Sequence, residues 1–276
     1  MVLLEVKENL QSTMFKKLMI ILITLYILML LGFYFFQENI IFRPKKISKD
    51  YIYTFDKNFE EIDLKITKKT SLNALHFKVV NPKGIIIYFH GNKGNLIRWG
   101  NIVKPFIDYN YDVFVMDYRG YGKSTGEKTE EAMYSDAQYC YDYISKLYGE
   151  NDIVVYGRSL GGTFATFVAS QNNPKQLILE ATFYSMTEVI QNKLPILPYN
   201  NLLKFKFETD KFIGRVKAPT IIFHGTEDRL VSVDLGEKLF ERSNKENTEF
   251  VQIKGATHHN IGEFQVYKND LKNILK

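Results

Sequence analysis

The chain has 276 residues, of which 45% are hydrophobic and 24% are charged, a length and composition that suit one large α/β domain or two small ones. The net charge of +5 is modest and the lysines are scattered among acidic residues, which argues against nucleic-acid binding. The single cysteine, Cys140, excludes an intrachain disulfide and a zinc site built of cysteines. Its place in a predicted helix favours a packed structural residue over a nucleophile.

The first predicted element is an apolar segment without charged residues, residues 18–36. As a helix, this segment would span about 28 Å, close to the thickness of the bilayer hydrocarbon. We therefore expect an uncleaved transmembrane helix that follows an amino-terminal tail, residues 1–17. A cleaved signal peptide is the alternative, but its apolar region is normally shorter, and no cleavage site of small residues follows Gly32.

Basic residues flank both ends of this predicted helix. They are Lys7, Lys16 and Lys17 before it and Arg43, Lys45, Lys46 and Lys49 after it. Because basic flanks favour the cytoplasmic side, the two groups argue for opposite orientations. The side of the membrane on which the rest of the chain lies stays open at this point.

The elements that follow predict a sheet that begins antiparallel and becomes parallel. Two segments with alternating hydrophobic residues, 59–66 and 72–80, come first without a helix between them. From residue 85 onward, apolar strands alternate with helices, which is typical of a mostly parallel sheet with helices on both faces. The later strands are predicted at 85–89, 112–116, 152–156, 176–179, 220–223 and 248–253, and the helices at 96–109, 130–148, 163–170, 233–242 and from about 262.

One predicted strand-to-helix turn carries a serine between two glycines, in the order Gly157-Arg158-Ser159-Leu160-Gly161. This is the pattern of a nucleophile elbow, in which a strained turn exposes the serine at a helix amino terminus. The glycines would remove the clashes that Cβ atoms make in so tight a turn. The pentapeptide alone is weak evidence, because an ordinary glycine-rich turn with an idle serine looks the same.

A serine nucleophile needs a base, usually histidine, and a carboxylate that orients this base. Asp228 lies in the loop after strand 220–223, between Ser159 and the last histidines, in the chain order expected for this architecture. It is the first candidate for the acid, although aspartate is also a common turn residue. Glu227 and Glu180 are weaker candidates.

Two of the five histidines, His258 and His259, lie in a loop after the last predicted strand, on the same edge of the sheet as the serine. They are the candidates for the base. His90 ends strand 85–89, and we expect its ring to support the following turn rather than to react. Asp117 begins a loop whose expected role is also architectural.

Together these motifs resemble the α/β-hydrolases, in particular the membrane-anchored serine hydrolases of the Bem46 and ABHD13-like branch. The matching segments are 90–95, 117–124, 157–161, 224–228 and 259–260, and the resemblance runs from about residue 37 to the end. It implies a triad of Ser159, Asp228 and a carboxyl-terminal histidine. Alignment on Asn260 selects His259 as the base and puts His258 where the family usually has glycine.

The resemblance also implies an oxyanion hole formed by the backbone N–H groups of Asn92 and Leu160. It implies an α/β-hydrolase domain over residues 50–276, with room for a small cap at about 183–215. No metal or organic cofactor is expected.

The function expected from these features is a membrane-anchored serine hydrolase that cleaves an acyl ester or thioester through an acyl-enzyme intermediate. Its substrate would be an acylated small molecule, a lipid or an acylated protein, and residues 18–36 would contact membrane lipids. A serine peptidase of the same superfamily is the alternative. A non-catalytic, membrane-tethered binding module is the other.

Overall fold

The computed structural model describes the backbone of residues 2–276 and the side chains of residues 9–199 and 201–276. Its first element is one continuous helix, α1, at Val2–Ile41. The part at Asn9–Ile41 is long and apolar enough to cross a membrane. The predicted span 18–36 lies inside this helix, which continues further at both ends. At 1.5 Å per residue, the apolar part is about 50 Å long, more than the roughly 30 Å of bilayer hydrocarbon.

Eight strands form one sheet. They are β1 Phe59–Lys65, β2 Ser71–Phe77, β3 Ile85–Phe89, β4 Asp112–Met116, β5 Ile153–Arg158, β6 Gln176–Glu180, β7 Thr220–Gly225 and β8 Thr248–Ile253. Their order in the sheet is β8-β7-β6-β5-β3-β4-β2-β1. Strand β2 is antiparallel to both of its neighbours, and all other neighbours are parallel. The predicted architecture, a mostly parallel sheet that begins antiparallel, is therefore confirmed.

Helices cover both faces of the sheet, and one apolar core lies on each side. Residues of β3 alternate between the two cores, since Ile85 and Ile87 face one and Ile86 and Tyr88 face the other. This explains why the strand is apolar throughout. The helices that cover the two faces are α2 Leu96–Val103 and α9 Gln265–Ile274 on one side and α3 Glu130–Ser145, α4 Leu160–Gln171 and α8 Val233–Arg242 on the other.

The predicted helix 96–109 is interrupted. It continues as an α-helix only to Val103, and Lys104–Tyr109 forms a 3-10 helix. Pro105 lies at this change, and proline has no N–H to donate to the preceding turn and clashes with its carbonyl. The buried side chain of Trp99 nevertheless holds this region against the sheet.

The segment between β6 and β7 carries three short helices, α5 Met186–Gln191, α6 Tyr199–Leu202 and α7 Asp210–Ile213. The end of α1 packs against it. Gln37 is fully buried, donates hydrogen bonds to the carbonyl oxygens of Tyr34 and Leu202, and accepts one from the Lys204 N–H. Just after the helix, the two-residue strand Arg43–Pro44 pairs with Lys93–Gly94. Contacts with the sheet domain thus begin upstream of residue 50.

Candidate active site

Ser159 lies between β5 and α4 with a φ of +53°, a backbone conformation that non-glycine residues rarely adopt. Its N–H donates a hydrogen bond of 2.8 Å to the Glu180 carbonyl on the neighbouring strand. A Cβ atom at Gly161 would lie 1.9 Å from the Phe89 carbonyl oxygen, and one at Gly157 would lie 2.5 Å from the Gly162 Cα. The predicted strained elbow, with glycines where side chains do not fit, is confirmed.

The structure brings Ser159, His258 and Asp228 into one hydrogen-bonded row. The Ser159 Oγ lies 3.0 Å from His258 Nε2, and His258 Nδ1 lies 2.7 Å from an Asp228 carboxylate oxygen. An ionised carboxylate only accepts hydrogen bonds, so Nδ1 carries the proton and donates to it. Nε2 is then free to accept the hydrogen bond of the serine hydroxyl, which is the arrangement that a general base requires.

The prediction that His259 faces the serine is wrong, because His258 occupies that place. The Asn260 side-chain oxygen accepts hydrogen bonds from the N–H and the hydroxyl of Thr257, which closes a tight turn across the two histidines. Within this turn His258 is buried and His259 is exposed. Successive side chains point in different directions. An alignment that is wrong by one residue therefore assigns the exposed histidine instead of the buried one.

Asp228 is held by several hydrogen bonds. One carboxylate oxygen accepts the N–H groups of Leu230 and Val231, each at 2.8 Å, and the other faces His258 and, at 3.5 Å, the His224 Nε2. Burial on its own would raise the pKa of this carboxyl, but the interactions with His224 and His258 hold its pKa well below the usual range. Asp228 is therefore ionised at neutral pH.

Sequence reasoning assigned no role to Arg158, the residue before the serine. Its guanidinium lies 3.1 Å from a Glu180 oxygen and donates to the carbonyl oxygens of His258 and His259 at 3.2 and 3.3 Å. Despite burial, the negative charge of Glu180 raises the pKa of Arg158. The side chain thus ties the histidine loop to the elbow. The only available signal was its position between Gly157 and Ser159.

The weaker candidates for the acid lie elsewhere. Glu180 pairs with Arg158 and accepts a hydrogen bond of 2.5 Å from the Tyr156 hydroxyl, whereas Glu227 is exposed. Among the side chains that the structure describes, no three His, Cys, Asp or Glu residues are arranged to hold a metal ion. Cys140 is buried in α3, and burial raises the pKa of its thiol, as a structural residue requires.

The turn after β3 faces the elbow. Asn92 and Leu160 line the same cavity as Ser159, and among the described residues neither backbone N–H finds an acceptor. The Asn92 side chain donates to the Ile41 carbonyl at 2.9 Å, and the Asn92 carbonyl accepts the Arg43 N–H at 2.9 Å. The turn is therefore fastened to the end of α1 from both sides.

His90 supports this turn, as expected. Its ring is fully buried and stacks on Trp99 with 5.2 Å between ring centroids. Its Nδ1 lies 2.7 Å from the Gly91 carbonyl oxygen, and its Nε2 lies 3.3 Å from the buried Asp117. Asp117 also accepts the Leu96 N–H at the start of α2, so it joins two elements of the fold. Neither residue lines the cavity.

A cavity of about 760 Å³ opens over the serine. One part of its wall is apolar, formed by Ile40, Ile41, Phe183, Met186, Val189, Ile190, Leu230 and Val231. Every arginine and lysine side chain in its described lining is cationic, and this described lining contains no aspartate or glutamate. The cationic residues are Arg43, Lys93, Arg98, Arg158 and Lys193.

Comparison with known proteins identifies the family of this chain. Residues 80–209 match the family model described as serine aminopeptidase, S33. The uncharacterized protein R595 of Acanthamoeba polyphaga mimivirus is 30% identical over 232 residues, which cover 76% of this chain and 78% of that protein. The chain belongs to the α/β-hydrolase family. This hydrolase is also 29% identical over 230 residues to the protein Bem46 of Schizosaccharomyces pombe, with 77% of this chain and 76% of that protein covered.

Two further similarities bear on the hydrolase. The lysophosphatidylserine lipase ABHD12 of Danio rerio is 30% identical over 179 residues, which cover 57% of this chain and 46% of the relative. The esterase Pf2001 of Pyrococcus furiosus has the same fold, with a TM-score of 0.67 and 18% identity over 85% of this chain and 97% of the esterase. The predicted resemblance to the Bem46 branch and the α/β-hydrolase fold are confirmed.

Proposed function

We propose that the hydrolase cleaves acyl esters or thioesters at the membrane, with Ser159 as nucleophile, His258 as base and Asp228 as the carboxylate that orients the base. The observation that carries this proposal is the row of hydrogen bonds from Ser159 Oγ to His258 Nε2 and from His258 Nδ1 to Asp228. In this row each atom already has the partner that acyl transfer requires.

In the first step, the Ser159 oxygen attacks the acyl carbonyl carbon while His258 Nε2 accepts the hydroxyl proton. Ionised Asp228 stabilises the imidazolium that forms. The tetrahedral intermediate collapses, the imidazolium gives its proton to the leaving alcohol or thiol, and the acyl group stays on the serine. Water, deprotonated by the same imidazole, then attacks this ester and releases the acid.

The negative charge that develops on the carbonyl oxygen needs donors that are already in place. We assign this role to the backbone N–H groups of Asn92 and Leu160, which have no acceptor among the described residues and lie in the wall of the serine's cavity. Leu160 also begins α4, where the helix dipole favours a negative charge.

The cavity suggests a substrate with one acyl chain and an anionic head group. The apolar wall suits an acyl chain, and the cationic side chains of Arg43, Lys93 and Arg98 suit a phosphate or carboxylate. A lysophospholipid with a net negative charge has both features. The name of the relative ABHD12, a lysophosphatidylserine lipase, agrees with this substrate class.

The apolar helix α1 supports anchoring in the membrane, where such a lipid is found. We propose that it spans the bilayer as a single-pass anchor and that residues 183–215 form a small cap over the site. Five residues of this segment line the cavity: Phe183, Met186, Val189 and Ile190, of which the last three belong to helix α5, and Lys193.

An aminopeptidase is the second candidate, because the matching family model carries that description. An aminopeptidase must bind the positively charged amino group of a peptide, and a carboxylate is the natural partner for that charge. The described lining of the cavity contains cationic side chains and no carboxylate. This charge pattern favours the anionic ester over the peptide.

The test compares His258→Ala with His259→Ala, using turnover of a lysophospholipid and of a small aryl ester in detergent. We expect His258→Ala to lose about 10³-fold or more in kcat, because the base is removed, and His259→Ala to keep most of the activity. Turnover of an amino-acid anilide by the same wild-type protein, without turnover of the esters, would favour the peptidase. No turnover of any of the three substrates would favour a non-catalytic binding module.

A further inference from the structure

One face of α1 is not free to meet lipid, because it packs on the segment 183–215. Tyr26, Leu30, Phe33, Gln37 and Ile41 recur at the spacing of a single helix face. Phe33, Gln37 and Ile41 are buried, and Leu30 packs against the same core. Tyr26 donates a hydrogen bond of 3.1 Å to the carbonyl oxygen of Ile196. The contact therefore continues for about four helical turns.

This contact places Ile196 beside α1 at a point far from the end of the helix at Ile41. Tyr26 precedes Ile41 by 15 residues, which is about 22 Å along a helix axis. If α1 spans the bilayer, Tyr34 and Lys204 suit the head-group level, because the lysine ammonium lies 4.4 Å from the centre of the tyrosine ring and both residue types are typical of that region. Tyr26, and with it Ile196, lies about 12 Å further along the helix.

The segment that reaches this depth has the composition of a lipid-facing loop. Residues 194–199, here called the cap tip, are Leu-Pro-Ile-Leu-Pro-Tyr, and the nearest charged residues are Lys193 and Lys204. Leu194 is 43% exposed and Ile196 is 63% exposed, although both are large and apolar. Isolated apolar side chains on a surface are ordinary, but these two belong to a segment that contacts, through the Ile196 carbonyl, an apolar helix whose outer face is exposed as well.

Part of the backbone of the cap tip is already satisfied, which lowers the cost of leaving water, whereas the N–H groups of Ile196 and Leu197 find no acceptor among the described residues. Pro195 and Pro198 have no N–H group to satisfy. The Ile196 carbonyl accepts the Tyr26 hydroxyl, and the Leu197 carbonyl accepts the Tyr199 N–H. Lys193, at the base of the tip, lines the catalytic cavity together with Ile190 and Ile40.

We propose that the cap tip is inserted into the lipid leaflet beside α1, so that the catalytic cavity opens at the lipid surface and receives its substrate from the leaflet. The inserted partner is the acyl region of the bilayer. This inference rests on the proposed role of α1 as a membrane anchor, and it adds a second segment that enters the same leaflet.

The test uses single cysteines that carry an environment-sensitive fluorophore, in phosphatidylcholine vesicles with and without doxyl-labelled lipid as quencher. The natural Cys140 is buried, so the unsubstituted protein measures background labelling. Ile196→Cys and Leu194→Cys report on the cap tip, and Leu22→Cys reports on the anchor. Val80→Cys is the matched control, because Val80 is an apolar residue that is 86% exposed and lies outside the cavity lining and α1.

We expect doxyl lipid to quench the labels at 196 and 194 as it quenches the label at 22, and to leave the label at 80 unchanged. If aqueous iodide quenches the cap-tip labels while doxyl lipid quenches only the label at 22, the anchor stands and the insertion of the cap tip is wrong. If the label at 22 also escapes doxyl lipid, the anchor proposal itself fails. Thermal unfolding of each variant confirms that the substituted protein is folded.

Discussion

At the scale of single residues, the site depends on polar groups whose hydrogen bonds are arranged before any substrate arrives. Asp228 receives two backbone N–H groups on one oxygen and His258 on the other. His258 is in turn held through its own carbonyl by Arg158. These bonds place the histidine ring with Nε2 toward the serine, so the proposed reaction needs little rearrangement.

The depressed pKa of Asp228 predicts a pH-dependent contribution to stability. Ionised Asp228 stabilises the fold above the pKa of an unfolded aspartate, about 3.9, and this contribution is lost as the pH falls from there toward the lower folded-state pKa. The thermal midpoint of the wild type should exceed that of Asp228→Asn at about pH 6, and the difference should shrink as the pH falls below about 4. A difference that stays constant over this range would contradict the assignment of the charge.

Asn92 gives a second prediction at this scale, because its side chain fastens the turn after β3, which carries one of the proposed oxyanion donors, to the end of α1. Asn92→Ala keeps the backbone N–H but releases the turn, so kcat should fall by about 10- to 100-fold while KM changes little. Steady-state kinetics on a small ester measures both constants. The matched control is Asn101→Ala. It removes a hydrogen bond of the same length, 2.9 Å, which the side-chain amide of Asn101 donates to the Ile97 carbonyl in α2. Equal kcat values in both variants would refute the role of the turn.

One prediction about a single residue, the choice of His259 rather than His258 as the histidine that faces Ser159, was wrong. Ser159 and Asp228 could be predicted because each follows a buried strand at the same edge of the sheet, where chain order restricts the choices. His258 and His259 are neighbours in one loop, and the turn closed by Asn260 and Thr257 decides which ring faces inward. That turn depends on tertiary contacts with Arg158, which no local pattern in the sequence reveals.

At the scale of elements, the elbow is the feature with the least steric freedom. Gly161 lies where α4 approaches the end of β3, and an added Cβ would overlap the Phe89 carbonyl at 1.9 Å. Backbone atoms cannot move aside as a flexible side chain can. The close approach keeps the first turn of α4 next to the turn at His90, where the proposed oxyanion donors meet.

Gly161→Ala should therefore destabilise the folded protein by about 3 kcal/mol or more and abolish activity. The control is Gly32→Ala, since a Cβ added there meets no described atom within 4 Å other than the neighbouring residues and the backbone of its own helix, and alanine favours the helix. Thermal unfolding in detergent compares the two variants. A Gly161→Ala protein as stable as Gly32→Ala would mean that α4 lies farther from β3 than described.

The elements themselves were largely predictable, and the exceptions have physical causes. Strands β3 and β4 were predicted with their observed bounds because strands buried on both faces are apolar throughout. The end of α1 was not, because the apolar segment stops before the polar residues Gln37 and Glu38. In the fold the helix continues to Ile41, since Gln37 is buried and hydrogen-bonded to Leu202 and Lys204.

At the scale of the whole molecule, apolar and cationic surfaces converge on one cavity. The outer face of α1 and the cap tip are apolar, whereas the cavity carries Arg43, Lys93 and Arg98 beside the serine. The net charge of +5 favours approach to an anionic membrane surface. A lipid whose acyl chain and anionic head group meet at the reacting ester matches this distribution.

The charge of the cavity predicts substrate selectivity. Arg98→Gln should lower kcat/KM for an anionic lysophospholipid by about 10-fold, because a charge-assisted hydrogen bond is lost, and should change it little for a neutral monoacylglycerol. The control is Arg215→Gln, at an exposed arginine outside the cavity lining. An equal loss on both lipids would indicate a structural effect rather than recognition of the head group.

Covalent labelling by a fluorophosphonate shows whether Ser159 is a nucleophile activated by His258. Intact-mass measurement of the full-length protein in detergent, followed by peptide mapping, should show one adduct on Ser159. We expect no adduct in Ser159→Ala, greatly slowed labelling in His258→Ala, and labelling close to the wild-type rate in His259→Ala. A folded wild-type protein that forms no adduct would contradict the role of Ser159 as nucleophile, and a His258→Ala protein that labels as fast as the wild type would contradict the role of His258 as base.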